Sequence, residues 1–201
     1  MPASPEKKKN TRAKILDSAF ELFKNNSVHS TAVDDVVKSA GVAKGTFYLY
    51  FKDKYDLLDH LVLDKSSDMI VEAFNNSFND PDAPLPEKVD AFADCVMDEL
   101  SSNREITALL QKNLSRCLTS LDKTGSESLK AVYDEVKREI VKMGVSKDDA
   151  DKRIYFVTDL LGSVCCDAIV NGEPFELDSV RAPLKNAIRS ILFFGGESLD
   201  K

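Results

Sequence analysis

The chain has 201 residues, 43% of them hydrophobic, with 34 acidic against 27 basic side chains and a net charge of −7, enough for one sizeable core or for a small domain and a larger one. No stretch reaches the ~18 uninterrupted apolar residues of a membrane span, and the N-terminus has no apolar signal core, so a cytoplasmic protein without a membrane partner is expected. With only His29 and His60, with Cys95, Cys117, Cys165 and Cys166 outside any ligand-like spacing, and with no Gly-rich phosphate loop, the sequence offers no metal site, no cofactor and no nucleophile–base set, which argues against an enzyme.

Lys7, Lys8, Lys9, Arg12 and Lys14 open the chain, placed either to lie along phosphates or simply to solvate a chain end. Ile15, Leu16, Ala19, Phe20 and Phe23 then follow the spacing of an amphipathic helix. Val33, Val36, Val37 and Ala40 form the apolar face of a second, short helix, and Gly41 permits the sharp turn after it. Beyond the turn Val42, Phe47 and Phe51 point inward, which leaves Lys44, Thr46, Tyr48 and Tyr50 outward. One cation with hydroxyls and phenols suits a phosphate-lined groove. Asp53, with Asp56 three residues later, is the expected N-cap of the next helix. That helix starts at Lys54 with backbone N–H groups exposed, a natural phosphate contact.

From Leu57 onward only helical periodicity appears. Leu57, Leu58, Leu61, Val62, Met69, Ile70, Ala73, Phe74 and Phe78 make one long stripe, ended by Pro81, Pro84 and Pro86. Val89, Phe92, Ala93, Val96 and Leu100 mark the following helix, and Ile106, Leu109, Leu110, Leu114, Cys117, Leu118 and Leu121 another. Thr124 with Glu127 has capping-box spacing and opens a helix through Leu129, Val132, Tyr133, Val136 and Ile140, stopped by Gly144. Asp148 to Asn171 is apolar over much of its circumference, and the last helix offers Leu184, Ala187, Ile188, Ile191, Leu192 and Phe194. The charge is unevenly divided: residues 1–60 hold 10 Lys and Arg against 8 Asp and Glu, a balance of +2, whereas residues 61–201 hold 17 against 26, a balance of −9. An acidic body behind a basic head is compatible with approach to DNA by the head alone. The cysteines read as buried free thiols, with a redox switch at Cys165–Cys166 as the alternative; adjacent residues would make a strained disulfide.

The segments ILDSAFELF, TAVDDVVKSAGVAKGTFYLYF and KDKYDLL, at fixed mutual spacing between Thr11 and Leu63, resemble the tetracycline-repressor (TetR) family of bacterial transcription regulators. The resemblance implies an all-α protein. Residues 1–56 would be a three-helix helix-turn-helix DNA-binding domain, and residues 57–201 a helical ligand-binding and dimerisation domain. It makes Ala32 to Phe51 the helix-turn-helix and Lys44 to Tyr48 the core of the recognition helix. The DNA-binding set is then Ala32, Val33, Ala43, Lys44, Thr46, Phe47, Tyr48, Tyr50, Lys52 and Lys54. The chain departs from the family pattern at four places. Ala43 replaces the usual serine N-cap, costing about 1 kcal/mol of local stability. Ser27 replaces the glycine that closes the first helix, so Asn25 or Asn26 is expected to supply the left-handed residue. Asp34 stands where some members place a base-reading arginine, and Tyr50 where a histidine is common.

In such proteins the last two helices pair across a two-fold axis. The interface set here is Ile154, Val157, Leu161, Gly162, Val164, Cys165, Ala168, Leu184, Ile188 and Ile191, the alternative being that both helices only close the monomer core. An effector pocket would be lined by Phe74, Phe78, Phe92, Cys95, Leu110, Leu114, Cys117, Tyr133 and Tyr155, and an apolar small molecule is its expected occupant. The reading is a homodimeric, ligand-responsive repressor of a palindromic double-stranded operator; the alternative is an activator or co-regulator whose C-terminal domain binds a protein.

Overall fold

A computed structural model of the chain describes residues 5–102, 104–110 and 126–193. These residues form helices and turns, with no strand among them, and the chain divides into two compact units, Met1–Asp64 and Lys65–Lys201. The first unit runs past Asp56, where the sequence reading ends the head, because Leu57 and Leu61 are 0% and 2% exposed and belong to its core.

The N-terminal unit contains α1 (Pro5–Ser30), α2 (Val33–Ala40), α3 (Lys44–Phe47) and the start of α4 (Lys54–Ser77). Its core is the sum of the stripes in the sequence: Ile15, Leu16, Ala19 and Phe23 of α1, Val36 and Val37 of α2, and Phe47 and Phe51. Complete burial of each phenylalanine contributes about 2–3 kcal/mol. The basic run lies on α1 and not in an extended arm. Arg12 is spent on structure: its guanidinium donates to Asp64 at 2.9 and 3.4 Å and meets His60 Nδ1 at 3.3 Å, while Lys9 and Lys14 stay exposed. The left-handed residue near the end of α1 is Ser27 itself, at φ 63 and ψ 155, and not Asn25 or Asn26. Ser27 is where the chain changes direction, and its carbonyl accepts the buried Thr31 hydroxyl at 2.8 Å.

The C-terminal unit holds the rest of α4, α5 (Leu85–Ser102), α6 (Arg104–Leu110), α7 (Glu127–Lys142), α8 (Lys147–Cys166) continuing into a turn of π-helix (Asp167–Asn171), and α9 (Leu177–Phe193). α7 is capped by Ser126, whose Oγ accepts from the Leu129 N–H at 3.2 Å; the expected cap, Thr124, lies outside the described residues. Ser146 caps α8 in the same way through the Asp149 N–H at 3.1 Å. Val89, Ala93 and Val96 of α5 face side chains of α7, α8 and α9 across one apolar core, and Leu100 of the same helix is buried. α5 and α9 are also joined by a three-rung ionic ladder with four-residue spacing on each helix. Arg189 pairs with Asp90, Lys185 with Asp94 at 2.7 Å, and Arg181 with Asp98 at 2.6 Å. The segment Lys147–Asn171 is long and apolar enough to cross a membrane by length and composition, but Ile154, Leu161, Cys165 and Cys166 are spent on this core.

Candidate nucleic-acid interface and effector cavity

The helix-turn-helix is built by a few local contacts. Asp35 reaches back to accept the Ala32 N–H at 3.1 Å at the start of α2. Gly41, at φ 66 and ψ 35, closes it, with the Val42 N–H donating to the Val37 carbonyl at 3.0 Å. Gly41 occupies the left-handed region that a side chain resists, so the corner depends on glycine. Ala43 is the N-cap of α3 and supplies no side-chain hydrogen bond. From that frame Lys44 and Tyr48 project outward, Tyr48 at 52% exposure, with Thr46 and Tyr50 partly buried beside them. Phe47 is 0% exposed, so it holds the recognition helix against the core and cannot touch DNA; Val33 is partly buried in the same way.

Two of the cations behave differently from expectation. Lys44 Nζ lies 2.7 Å from Asp34, and the hydrogen bond and charge of that carboxylate hold the ammonium above the ordinary lysine value. Lys44 is thus held in an exposed ion pair within its own head. Lys54 does not present its charge: Nζ donates to the carbonyls of His29 at 2.9 Å and Thr31 at 3.2 Å, tying the end of α1 to the start of α4. The N–H groups at that helix start are also taken, since Asp53 Oδ1 accepts from Tyr55 at 2.8 Å and Asp56 at 2.9 Å, bonds that hold its carboxyl below the ordinary value. Lys52 is exposed and has no ion-pair partner among the described residues. Leu49, absent from the expected set, is 82% exposed.

Inside the C-terminal unit five helices enclose an apolar cavity of about 80 Å³. It is lined by Ile70, Phe78, Val89, Phe92, Ala93, Val96, Leu129, Val132, Tyr133, Val136, Ile154, Val157, Thr158, Leu161, Ile188 and Leu192. Only Tyr133 and Thr158 carry polar atoms, and both are satisfied outside the void: Thr158 Oγ1 donates to the Ile154 carbonyl at 2.7 Å and the Tyr133 hydroxyl donates to Asp151. Burial, then the Asp151 carboxylate, pushes the Tyr133 phenol far above its ordinary value, so it stays neutral. A groove of about 820 Å³ shares Phe78 and Val132 with this cavity and is bordered by Phe74, Lys88, Glu135, Glu139 and Lys142. Of the expected pocket residues, Phe78, Phe92 and Tyr133 line the cavity and Phe74 lines the groove, its ring stacked on Phe78 at 4.3 Å. Cys95 does not: it sits on the other side of α5, 3.6 Å from the Ser77 hydroxyl. Tyr155 does not either, being 40% exposed on the outer face of α8. Leu114, Cys117 and the side chain of Leu110 lie outside the described residues.

Residues 15–61 match the family model for bacterial regulatory proteins of the tetR family, a span that contains the whole helix-turn-helix just described. Its N-terminal head is a DNA-binding domain of the tetR type. With this head the chain is a DNA-binding transcription regulator. It is similar to the fatty acid metabolism regulator protein of Bacillus subtilis, 26% identical over 186 residues that cover 90% of this chain and 93% of that one. Its fold is shared by the fatty acid degradation regulator FadR of Bacillus halodurans, at a TM-score of 0.57 and 20% identity over 98% of both chains. The FadR of Bacillus subtilis in complex with stearoyl-CoA also shares it, at a TM-score of 0.57 and 20% identity over 90% of this chain and 97% of that one.

Most of the interface residues expected from the TetR-family resemblance are buried within the chain itself. Ile154, Leu161, Gly162, Cys165, Ala168, Leu184 and Ile188 are buried within their own unit, and Val157 lines the cavity. They point inward because the helix period puts them on the stripe that meets α5 and α7. Val157, Val164 and Ile191 of that set keep part of their surface. The outward face of α8 instead carries Tyr155 and Phe156, 40% and 53% exposed with their rings edge to face at 5.9 Å, followed by the partly buried Leu160. Cys165 is 0% exposed, and burial pushes its thiol up to about 12, so neither access nor a thiolate favours redox chemistry there.

Proposed function

We propose that this TetR-family chain is a homodimeric repressor of a palindromic operator, released when the C-terminal cavity takes up an effector with a long apolar chain. The observation that carries the effector class is the cavity wall: fourteen of its sixteen side chains are wholly apolar and the other two have their polar atoms engaged. An acyl group meets such a wall without leaving a buried polar group unpaired. The similarity to a fatty acid metabolism regulator, and to a FadR whose structure holds stearoyl-CoA, supports acyl thioesters as the first compounds to try.

At about 80 Å³ the cavity is smaller than the roughly 300 Å³ at which ligand sites begin, so an acyl chain must part the surrounding helices. The parting would run through Phe78 and Val132 into the groove, and it would load α4, which supplies Ile70 to the cavity and Leu57 and Leu61 to the head core. Linkage does the rest: an effector that prefers the parted state weakens DNA binding by as much as its affinity differs between the two states. Dimerisation through Tyr155, Phe156 and Leu160 would set two recognition helices at successive major-groove faces. The test titrates the full chain on its own upstream DNA with stearoyl-CoA, stearate and free CoA while melting temperature is followed. The expected result is a rise in melting temperature and about tenfold weaker DNA binding with the acylated compounds only. A flat response to both acylated compounds would remove the acyl reading.

A further inference from the structure

Leu49 is the most exposed large apolar side chain among the described residues, at 82%, and it lies in the turn that directly follows the recognition helix of a DNA-binding head. It stands between Phe47 and Phe51, 0% and 1% exposed, which fix this turn in the core, and the turn is held by the Leu49 N–H on the Thr46 carbonyl at 3.2 Å and the Tyr50 and Phe51 N–H groups on the Phe47 carbonyl at 2.9 and 3.0 Å. It is therefore the outward tip of this segment, accompanied by the exposed Lys44 and Tyr48 and the partly buried Thr46 and Tyr50. One turn before it stands Gly45. A Cβ there would meet nothing within 4 Å, and Gly45 is absent from the glycines with positive φ. Nothing inside the molecule requires glycine at this place, although alanine would make the helix more stable. A bare stretch of backbone followed by an apolar tip, rimmed by hydroxyls and a cation, is complementary to a surface approached closely from outside.

We infer that Leu49 reads a thymine in the major groove by covering its C5-methyl group, and that Gly45 lets the recognition helix come close enough to do so. The inference rests on the DNA-binding role of the head. On the major-groove edge of the bases the thymine methyl is the one wholly apolar group, so it is the partner an exposed leucine finds there, while the flanking hydroxyls and Lys44 meet phosphates and polar base edges.

The experiment selects a preferred duplex from a random pool with the full chain, then replaces each thymine singly by deoxyuridine, which removes only the methyl. At one thymine in each half-site the wild-type protein should lose about fourfold in affinity, the worth of one buried methyl group. Leu49→Ala should bind the thymine and deoxyuridine duplexes equally, and Leu49→Met should restore the difference. Gly45→Ala should melt no lower than wild type yet bind every duplex about fivefold more weakly or worse, since the added Cβ meets DNA and not protein. The inference is overturned if no deoxyuridine position matters to wild type, if Leu49→Ala keeps the sensitivity, or if Gly45→Ala binds as wild type does. A pool that yields no enriched sequence overturns the DNA role itself, and this inference with it.

Discussion

At Ser27 the backbone sits at φ 63 and ψ 155, a region that costs a residue with a side chain about 1–3 kcal/mol. Ser27→Gly should therefore stabilise the head by about 1 kcal/mol, part of the relief being returned through the greater freedom of glycine in the unfolded chain. Urea unfolding checks this, and an unchanged or lower midpoint would mean the turn is unstrained. Seven residues on, Asp34 holds Lys44 at 2.7 Å across two exposed side chains, so the pair adds little to stability. Its effect should appear on DNA: Asp34→Asn removes a charge repelling phosphate and frees Lys44, strengthening binding by about fivefold at low salt, less as salt rises. Gel-shift titrations showing no gain would leave Asp34 without influence on the interface. Lys54→Ala should lower head stability by about 1 kcal/mol, since two α1-end carbonyls lose a cationic donor, and should leave the salt slope of DNA binding unchanged. A reduced slope with an unaltered melting temperature would return Lys54 to the phosphates.

Between elements, polar contacts decide what the apolar stripes leave open. Tyr133 and Lys137 of α7 both reach Asp151 of α8, the lysine at 2.6 Å, at the rim of the cavity. Burial opposes ionisation of Asp151, but the hydrogen bonds from Lys137 and Tyr133 outweigh it, and the carboxyl sits below its ordinary 3.8. Because the unfolded chain takes up that proton first, the contribution of Asp151 is present above about pH 4 and is lost as pH falls through the folded value. Cys165 acts at the other end. Its thiol is raised from 9.0 to about 12, so the unfolded state loses a proton first, and the stability this represents, complete below pH 9, is lost as pH rises toward 12. Asp151→Asn should flatten the acid limb of stability measured between pH 3 and 5, and Cys165→Ala the alkaline limb above pH 9. A variant whose limb matches wild type would show that its group is not the one titrating. The ladder of Asp90, Asp94 and Asp98 against Arg189, Lys185 and Arg181 sets α9 in register on α5, because a shift of one turn would strand one rung.

For the whole molecule the decisive surface is the outer face of α8. Tyr155 and Phe156 stay exposed there although the same helix spends its other stripe on the core. In a homodimer these rings would be covered. Phe156→Glu should then raise the dimer dissociation constant at least about tenfold and weaken operator binding with it, while the melting of the isolated chain is little changed. Sedimentation at micromolar concentration decides: a variant that sediments as wild type does would remove this face from the interface. Along the chain the acidity lies after the first 60 residues, −9 in residues 61–201 against +2 in residues 1–60, so operator affinity should depend on the head's few free cations, such as Lys52.

The helices, their apolar stripes, the Gly41 corner and the uncapped Ala43 were legible in the residues alone, because each depends on spacing or on the backbone freedom of one residue. So was the tetR type of the head, carried by motifs confined to that one compact unit. What a stripe faces is another matter. Ile154, Leu161 and Ile188 look equally suited to a dimer seam or to a core, and only the packing of α5 and α7 against them turned them inward. Lys54 and Lys44 likewise advertise the same charge in sequence, and their fates parted only when folding brought two carbonyls to one and a carboxylate to the other. Periodicity is a property of a single element, but the partner of a face or of a charge is a property of distances between elements far apart in the chain, which no local pattern encodes.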